Sequence, residues 1–280
     1  MNYLLSTWSR LLPRKMINDT KTSTYERTHF CLAPQQLSNS RTAYIYTLLI
    51  ILSSLFFLPT YSDANSSYFG HAAITTDHRA YGVSLTQKDP AVQIHAGIDV
   101  GNGLYAGTFL STFNFIDDSS PYDAGENLET DLYAGYRYGF SKEVVLSMTL
   151  YQYLIQGTNK GINLDFTELI FDLYSPYGQL SFSHTLNDIL GDLSQDKAYR
   201  VEYNKSIPIW DTSLTLDLQL GHWNTQDALG KAYLYYNLGL SIPIGPIMAC
   251  VAYNGTDKAG KELFGEIAKG SYYAKVTWVF

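Results

Sequence analysis

The closing stretch SYYAKVTWVF, residues 271–280, decides the fold. Tyr272, Ala274, Val276, Trp278 and Phe280 fall on one side of an extended strand, and Tyr273, Lys275, Thr277 and Val279 on the other. A soluble domain rarely ends on its most apolar strand, because termini fray in water. A sheet that closes on itself gives the last strand a partner in the first and leaves no edge. The expectation is therefore a closed all-β sheet.

The same period runs upstream. In 91–100, Val92, Ile94, Ala96, Ile98 and Val100 alternate with Gln93, His95, Gly97 and Asp99. In 212–221, Leu214, Leu216, Leu218 and Leu220 alternate with Thr215, Asp217 and Gln219. In 128–140, Leu128, Leu132, Ala134, Tyr136 and Phe140 alternate with Glu129, Asp131, Tyr133 and Arg137. Comparable segments lie at 104–115, 144–153, 164–174, 179–184, 198–206, 232–242 and 247–253. The first segment, 68–85, has the poorest alternation and is expected to break or bulge near Asp77 and His78. Twelve strands result.

The connections alternate in length. Short ones fall at 100–103, 139–143, 175–178, 207–211 and 243–246; long ones fall at 114–127, 154–163, 185–197, 222–231 and 254–270. The first connection on the long side, near 87–90, reads as modest. A sandwich has no reason for this rhythm. An up-and-down antiparallel transmembrane β-barrel does, with short periplasmic turns, long outer loops and both termini on the short-turn side. Ten residues at about 3.3 Å each, tilted by about 45°, span roughly 23 Å, close to the apolar band of an outer membrane.

Composition agrees. The chain has 280 residues, 24 of them Tyr, and only 16% are charged. Its mean hydropathy of -0.11 excludes a bundle of membrane helices but suits a barrel with a polar inner half. Residues 42–62 carry no charge, follow Arg41 and precede Ser62-Asp63-Ala64. This is the layout of a signal peptide at 41–64, cleaved after Ala64, with a retained anchor as the alternative. Residues 1–40 read as an unstructured extension or a mis-called start, leaving 65–280 as the barrel domain. Loss of residues 1–64 would bring the net charge from -7 to -10, which argues against a nucleic-acid partner. It would also leave Cys250 without Cys31.

The stretches DHRAYGVSLTQKDPAVQIHAGID (77–99), GLYAGTF (103–109), ETDLYAGYRYG (129–139) and TELIFDLY (167–174) resemble the TorF family, whose members are assigned as outer-membrane porins. The likeness covers nearly all of 65–280 and is most specific in its first third. The chain departs from that family at Tyr81, where Arg is usual, at Leu85, where Gln is usual, and at 154–157. The resemblance implies a porin-like barrel in the bacterial outer membrane. Barrels of this class commonly end in Phe. By that likeness Tyr272, Val276, Trp278 and Phe280 form the signal that barrel-insertion machinery reads. Outer-membrane lipids are the implied surroundings.

Parity assigns Asp99, Glu129, Asp131, Arg137, Glu168, Asp172, Arg200, Glu202 and Asp217 to the lumen, together with His95 and Lys275. A twelve-strand barrel lies between those filled by side chains and those holding an open channel. The expectation is a narrow pore for small solutes or ions, partly blocked by long side chains or an infolded loop. The excess of inward carboxylates predicts weak cation preference. Charge pairing that merely stiffens the wall is the alternative for any single residue.

A lipid-modifying enzyme would draw on Ser181, Ser183, His184 or His222. However, Ser183 and His184 are strand neighbours and point to opposite faces, and there is no G-x-S-x-G. No catalytic residues are assigned. A non-conducting receptor or scaffold would use the charged loop at 254–270. No metal-ligand spacing or dinucleotide fingerprint is evident, so no cofactor is expected. Tyr105, Phe115, Tyr138, Phe140, Tyr233, Tyr253, Tyr272 and Trp278 are expected outside, as interfacial girdles.

Overall fold

In a computed structural model, the described residues are 66–115, 126–157, 163–189, 191–194 and 196–280. The signal peptide and extension expected at 1–64 lie outside them. Twelve antiparallel strands close into a barrel. They are β1 (Ser67–Thr75), β4 (Ala91–Gly101), β5 (Leu104–Thr112), β6 (Leu128–Gly139), β7 (Val145–Gln156) and β8 (Phe166–Ser175). The remaining six are β9 (Gly178–Thr185), β10 (Tyr199–Pro208), β11 (Thr215–Thr225), β12 (Lys231–Ile244), β13 (Ile247–Thr256) and β14 (Ser271–Val279). A small inner hairpin, β2 (Arg79–Ala80) with β3 (Val83–Ser84), forms a sheet of its own.

The seam is β1 against β14, in register from His71↔Val279 to Thr75↔Lys275. Beyond the strand end, Gly70 and Phe280 exchange backbone hydrogen bonds of 3.0 and 3.1 Å. The terminal aromatic thus pairs with the first strand.

The first segment, 68–85, breaks close to Asp77 and His78 as expected, but the strand ends at Thr75 and is not resumed in the wall. The chain then turns into the barrel and rejoins the wall at Ala91. The connection on the outer side is therefore 76–90, longer than its turn residues suggested. Conversely, β11 and β12 run on to a short link, so the loop expected at 222–231 shrinks to a single helical turn, α1 (Gln226–Leu229). The last long loop carries α2 (Lys258–Phe264), which is capped by Asp257 accepting from the Gly260 amide at 3.0 Å.

Alternation sorts the two faces. Outward positions include Val92, Ile94, Leu180, Phe182, Leu238, Val251 and Val276, all exposed. Among the described residues the outward faces of the twelve strands carry no Asp, Glu or Arg. A single Lys faces out, Lys205 near the short-turn end, where its ammonium donates to the Pro176 carbonyl at 2.7 Å. An Arg or Lys facing lipid at mid-membrane would cost about 2–4 kcal/mol. Tyr272, Val276, Trp278 and Phe280 are all exposed on the outer surface.

Inside, flat-lying aromatics recur opposite glycine. Phe69 faces Gly97, Tyr133 faces Gly107, Tyr105 faces Gly135 and Tyr235 faces Gly221, each as direct cross-strand partners. A Cβ on any of these glycines would overlap the facing ring. The missing side chain is what lets the ring lie against the wall.

Candidate channel lumen

The lumen has a polar lower half, a charged middle and an apolar roof. Near the short turns, Arg137 donates to Asp99 at 2.8 Å, and its guanidinium lies 4.2 Å from the Tyr105 ring centre. The Tyr105 hydroxyl lies 2.6 Å from Ser147 and also contacts Thr149. Beside Ser147 on the next strand, Asp172 accepts from Gln179 at 2.9 Å and from Ser181 at 2.5 Å. Asp217 accepts from Ser206 and Ser241, both at 2.6 Å.

Arg200 occupies the middle, 1% exposed. It donates to Glu202 at 3.0 Å and lies 3.5 Å from Glu168. Tyr153 donates to Glu168 at 2.8 Å, and Tyr235 to Glu202 at 2.6 Å. Glu129 and Asp131 are fully buried nearby. All nine lumen positions expected from parity therefore lie on the inner face. Lys275 sits on the inner face of β14. His95 meets the Tyr133 hydroxyl at 2.7 Å and begins a run of rings through Tyr133, Tyr151, Tyr153 and Phe166.

The roof is the segment 76–90 folded inward. Tyr81, Val83 and Leu85 are 0–3% exposed and pack with Phe113, Phe115, Trp223, Tyr233, Tyr235 and Ile267. Phe264 and Leu263 of α2 close over them. Arg79, missed by the sequence reading, anchors the segment. Its guanidinium donates to Asp77 at 2.8 Å, Asn254 at 3.1 Å and Ser271 at 3.0 Å. It also donates to the carbonyls of Gly82, Ile267 and Lys269 at 3.1, 3.3 and 3.0 Å. Asp77 accepts in addition from Ser84 at 2.5 Å. Tyr81 lays its ring 4.2 Å from the Arg200 carbon Cζ.

His78 sits beside Ser111 at 3.0 Å and Glu129 at 3.7 Å. Burial, reinforced by the Lys275 charge, lowers its pKa to about 3, so it is neutral at physiological pH.

Three expected girdle residues are corrected. Tyr105 points inward to Ser147, Phe115 is buried beneath the roof, and Tyr233 packs there against Phe264 at 5.7 Å. The aromatic types were compatible with either face; the facing glycine decides for Tyr105. Tyr138, Phe140, Tyr272 and Trp278 are exposed, and Tyr253 packs against Tyr272 with tilted rings whose centres are 4.9 Å apart. Ser181 and Ser183 are buried inside, whereas His184 and His222 are exposed on the outer face, so no Ser–His pair forms among them.

A family model described as "Bacterial protein of unknown function (Gcw_chp)" matches residues 62–280. The chain belongs to the Gcw_chp family. A bacterial Gcw_chp barrel with a predominantly apolar outer face and a polar interior belongs in the outer membrane, where closed sheets span lipid. The porin NanC is similar to this Gcw_chp chain at 13% identity, over 76% of this chain and 99% of its own, with a TM-score of 0.49. An outer-membrane channel from Pseudomonas putida F1 is 12% identical over 80% and 100% of the two chains, with a TM-score of 0.44. OprD from Pseudomonas aeruginosa is 11% identical over 75% and 65%, with a TM-score of 0.37. No curated protein matches the chain.

Proposed function

We propose that this protein is a porin-like channel for small solutes or ions, with a weak preference for cations. The supporting observation is the lumen. Burying charge costs several kcal/mol per ion unless it is well paired, and an apolar interior would stabilise a barrel equally well. A wall that presents Asp99, Arg137, Asp172 and Asp217 inward is suited to hydrated passage. Inward carboxylates outnumber inward bases: Glu129, Asp131, Asp172 and Asp217 stand beyond those grouped with Arg79, Arg137 and Arg200, against Lys275 as a further inward base. That excess is the basis for cation preference. The nine lumen residues are proposed as pore-lining. Tyr272, Val276, Trp278 and Phe280 are proposed as the signal for insertion machinery, and 41–64 as a cleaved leader. Membership of the TorF porins fits the same reading.

The inward roof favours a second reading, a non-conducting surface barrel. Planar-bilayer recordings of the purified protein under a salt gradient separate the two. Discrete current steps with a cation-directed reversal potential are expected. Anion preference would refute the selectivity, and absence of any step would favour the non-conducting barrel.

A further inference from the structure

The segment 76–90 blocks the bore that the proposed function requires, and the inference drawn from it rests on that function. We propose that this segment is the channel's gate and that the stacking of Tyr81 on Arg200 is its latch.

The strap is not part of the wall. β2 pairs only with β3, through Arg79↔Ser84 and Ala80↔Val83. Its tie to the next stretch of chain is the Asn114 amide donating to the Leu85 carbonyl at 2.9 Å, beyond the end of β5. Withdrawing the tip therefore leaves the barrel's ladder intact.

The ionic groups are partitioned for movement. Asp77 and Arg79 both ride on the strap, 2.8 Å apart. Arg200, Glu168 and Glu202 all stay on the wall. The arginine ion pairs do not cross the boundary, so opening strands neither a strap charge nor Arg200. What crosses is a ring over a guanidinium, a set of hydrogen bonds from Arg79 to neutral acceptors, the contacts of neutral His78 with Ser111 and Glu129, the Gln87 side-chain amide donating to the Phe115 carbonyl, and apolar contact.

The docked strap is also strained. Tyr81, Gln87 and Lys88 hold φ of 47°, 53° and 70°. This left-handed region is unfavourable for residues with a Cβ. These positions bracket the Val83–Leu85 tip. Undocking lets them relax, while Tyr81 on Arg200 opposes release. A cation–π contact in a desolvated site suffices to shift such a balance about tenfold.

Single-channel recording tests this with the full-length protein, Tyr81→Phe and Tyr81→Ala, each shown to be folded by heat-modifiable gel migration. Tyr81→Phe keeps the ring and should keep the wild-type open probability. Tyr81→Ala should raise it about tenfold with unchanged unit conductance. If Tyr81→Ala does not fold, Tyr81→Leu carries the same expectation. A changed unit conductance at constant open probability would make the strap a fixed constriction and overturn the gate while leaving the channel. Identical records for all proteins would overturn the gate likewise. Folded protein without any step in wild type or variant would overturn the channel itself, and the gate with it.

Discussion

Replacing Arg79 with Ala should free the 76–90 strap from the roof. The docked Arg79 side chain is fully buried and donates to six acceptors, four of them on the barrel wall or the last outer loop. In the variant the Asp77 carboxylate, 3% exposed, keeps its bond from Ser84 but loses its cation. Removing one partner of a buried ion pair costs about 3–5 kcal/mol. The undocked strap escapes this cost because Asp77 is hydrated there. The docked population should therefore fall relative to the open one by roughly two to four orders of magnitude. Hydrogen–deuterium exchange of peptides covering 78–86, in lipid, reads this directly. The Leu85 amide, which donates to the His78 carbonyl at 2.6 Å, should lose protection by that factor, with wall peptides from β7 and β8 unchanged. Arg79→Lys, which keeps the charge without the fork, should fall between. A change below tenfold in Arg79→Ala would refute Arg79 as the anchor.

Acid should loosen the same strap. His78 has a docked pKa near 3 against 6.5 when hydrated, so docking is fully favoured above pH 6.5 and weakens as pH falls from there toward 3. Exchange at 78–86 should accelerate across that window, and His78→Gln should flatten the response. Gly221→Ala should push Tyr235 off the wall and away from Glu202, lowering stability by about 1–3 kcal/mol in denaturant titrations from micelles. Arg137→Gln removes an inward cation beside Asp99, so the reversal potential should move further toward cations; movement toward anions would contradict the proposed lumen charge.

The strand number, the seam and the inner positions of the nine charged residues were legible because one face meets lipid. Wherever Leu, Val and Ile take every second place, the intervening residues must point inward. The strap was not legible, because its hydrophobic Tyr81, Val83 and Leu85 mimic the end of a strand. Length gave the available signal: eighteen extended residues, 68–85, would reach roughly 60 Å, far beyond an outer-membrane span. Arg79 was passed over for the same reason. Tyr105, Phe115 and Tyr233 were misplaced because an aromatic suits a girdle, a roof or a wall opposite glycine. For Tyr105 the choice depends on Gly135, a neighbour that only the pairing of β5 with β6 supplies.

Arg79 lies a few residues beyond the first strand, yet its partners Asn254, Ser271 and the carbonyls of Ile267 and Lys269 are 175–192 positions away. They border the last hairpin, whose second strand seals the seam. During assembly Arg79 cannot reach these partners until the chain's two ends have met. Loop closure is entropically costly before its contacts reward it. Docking of the strap supplies that reward at the step where the ends join. Completion of the cylinder and occlusion of its bore are thus thermodynamically coupled, and a half-zipped barrel cannot yet be shut.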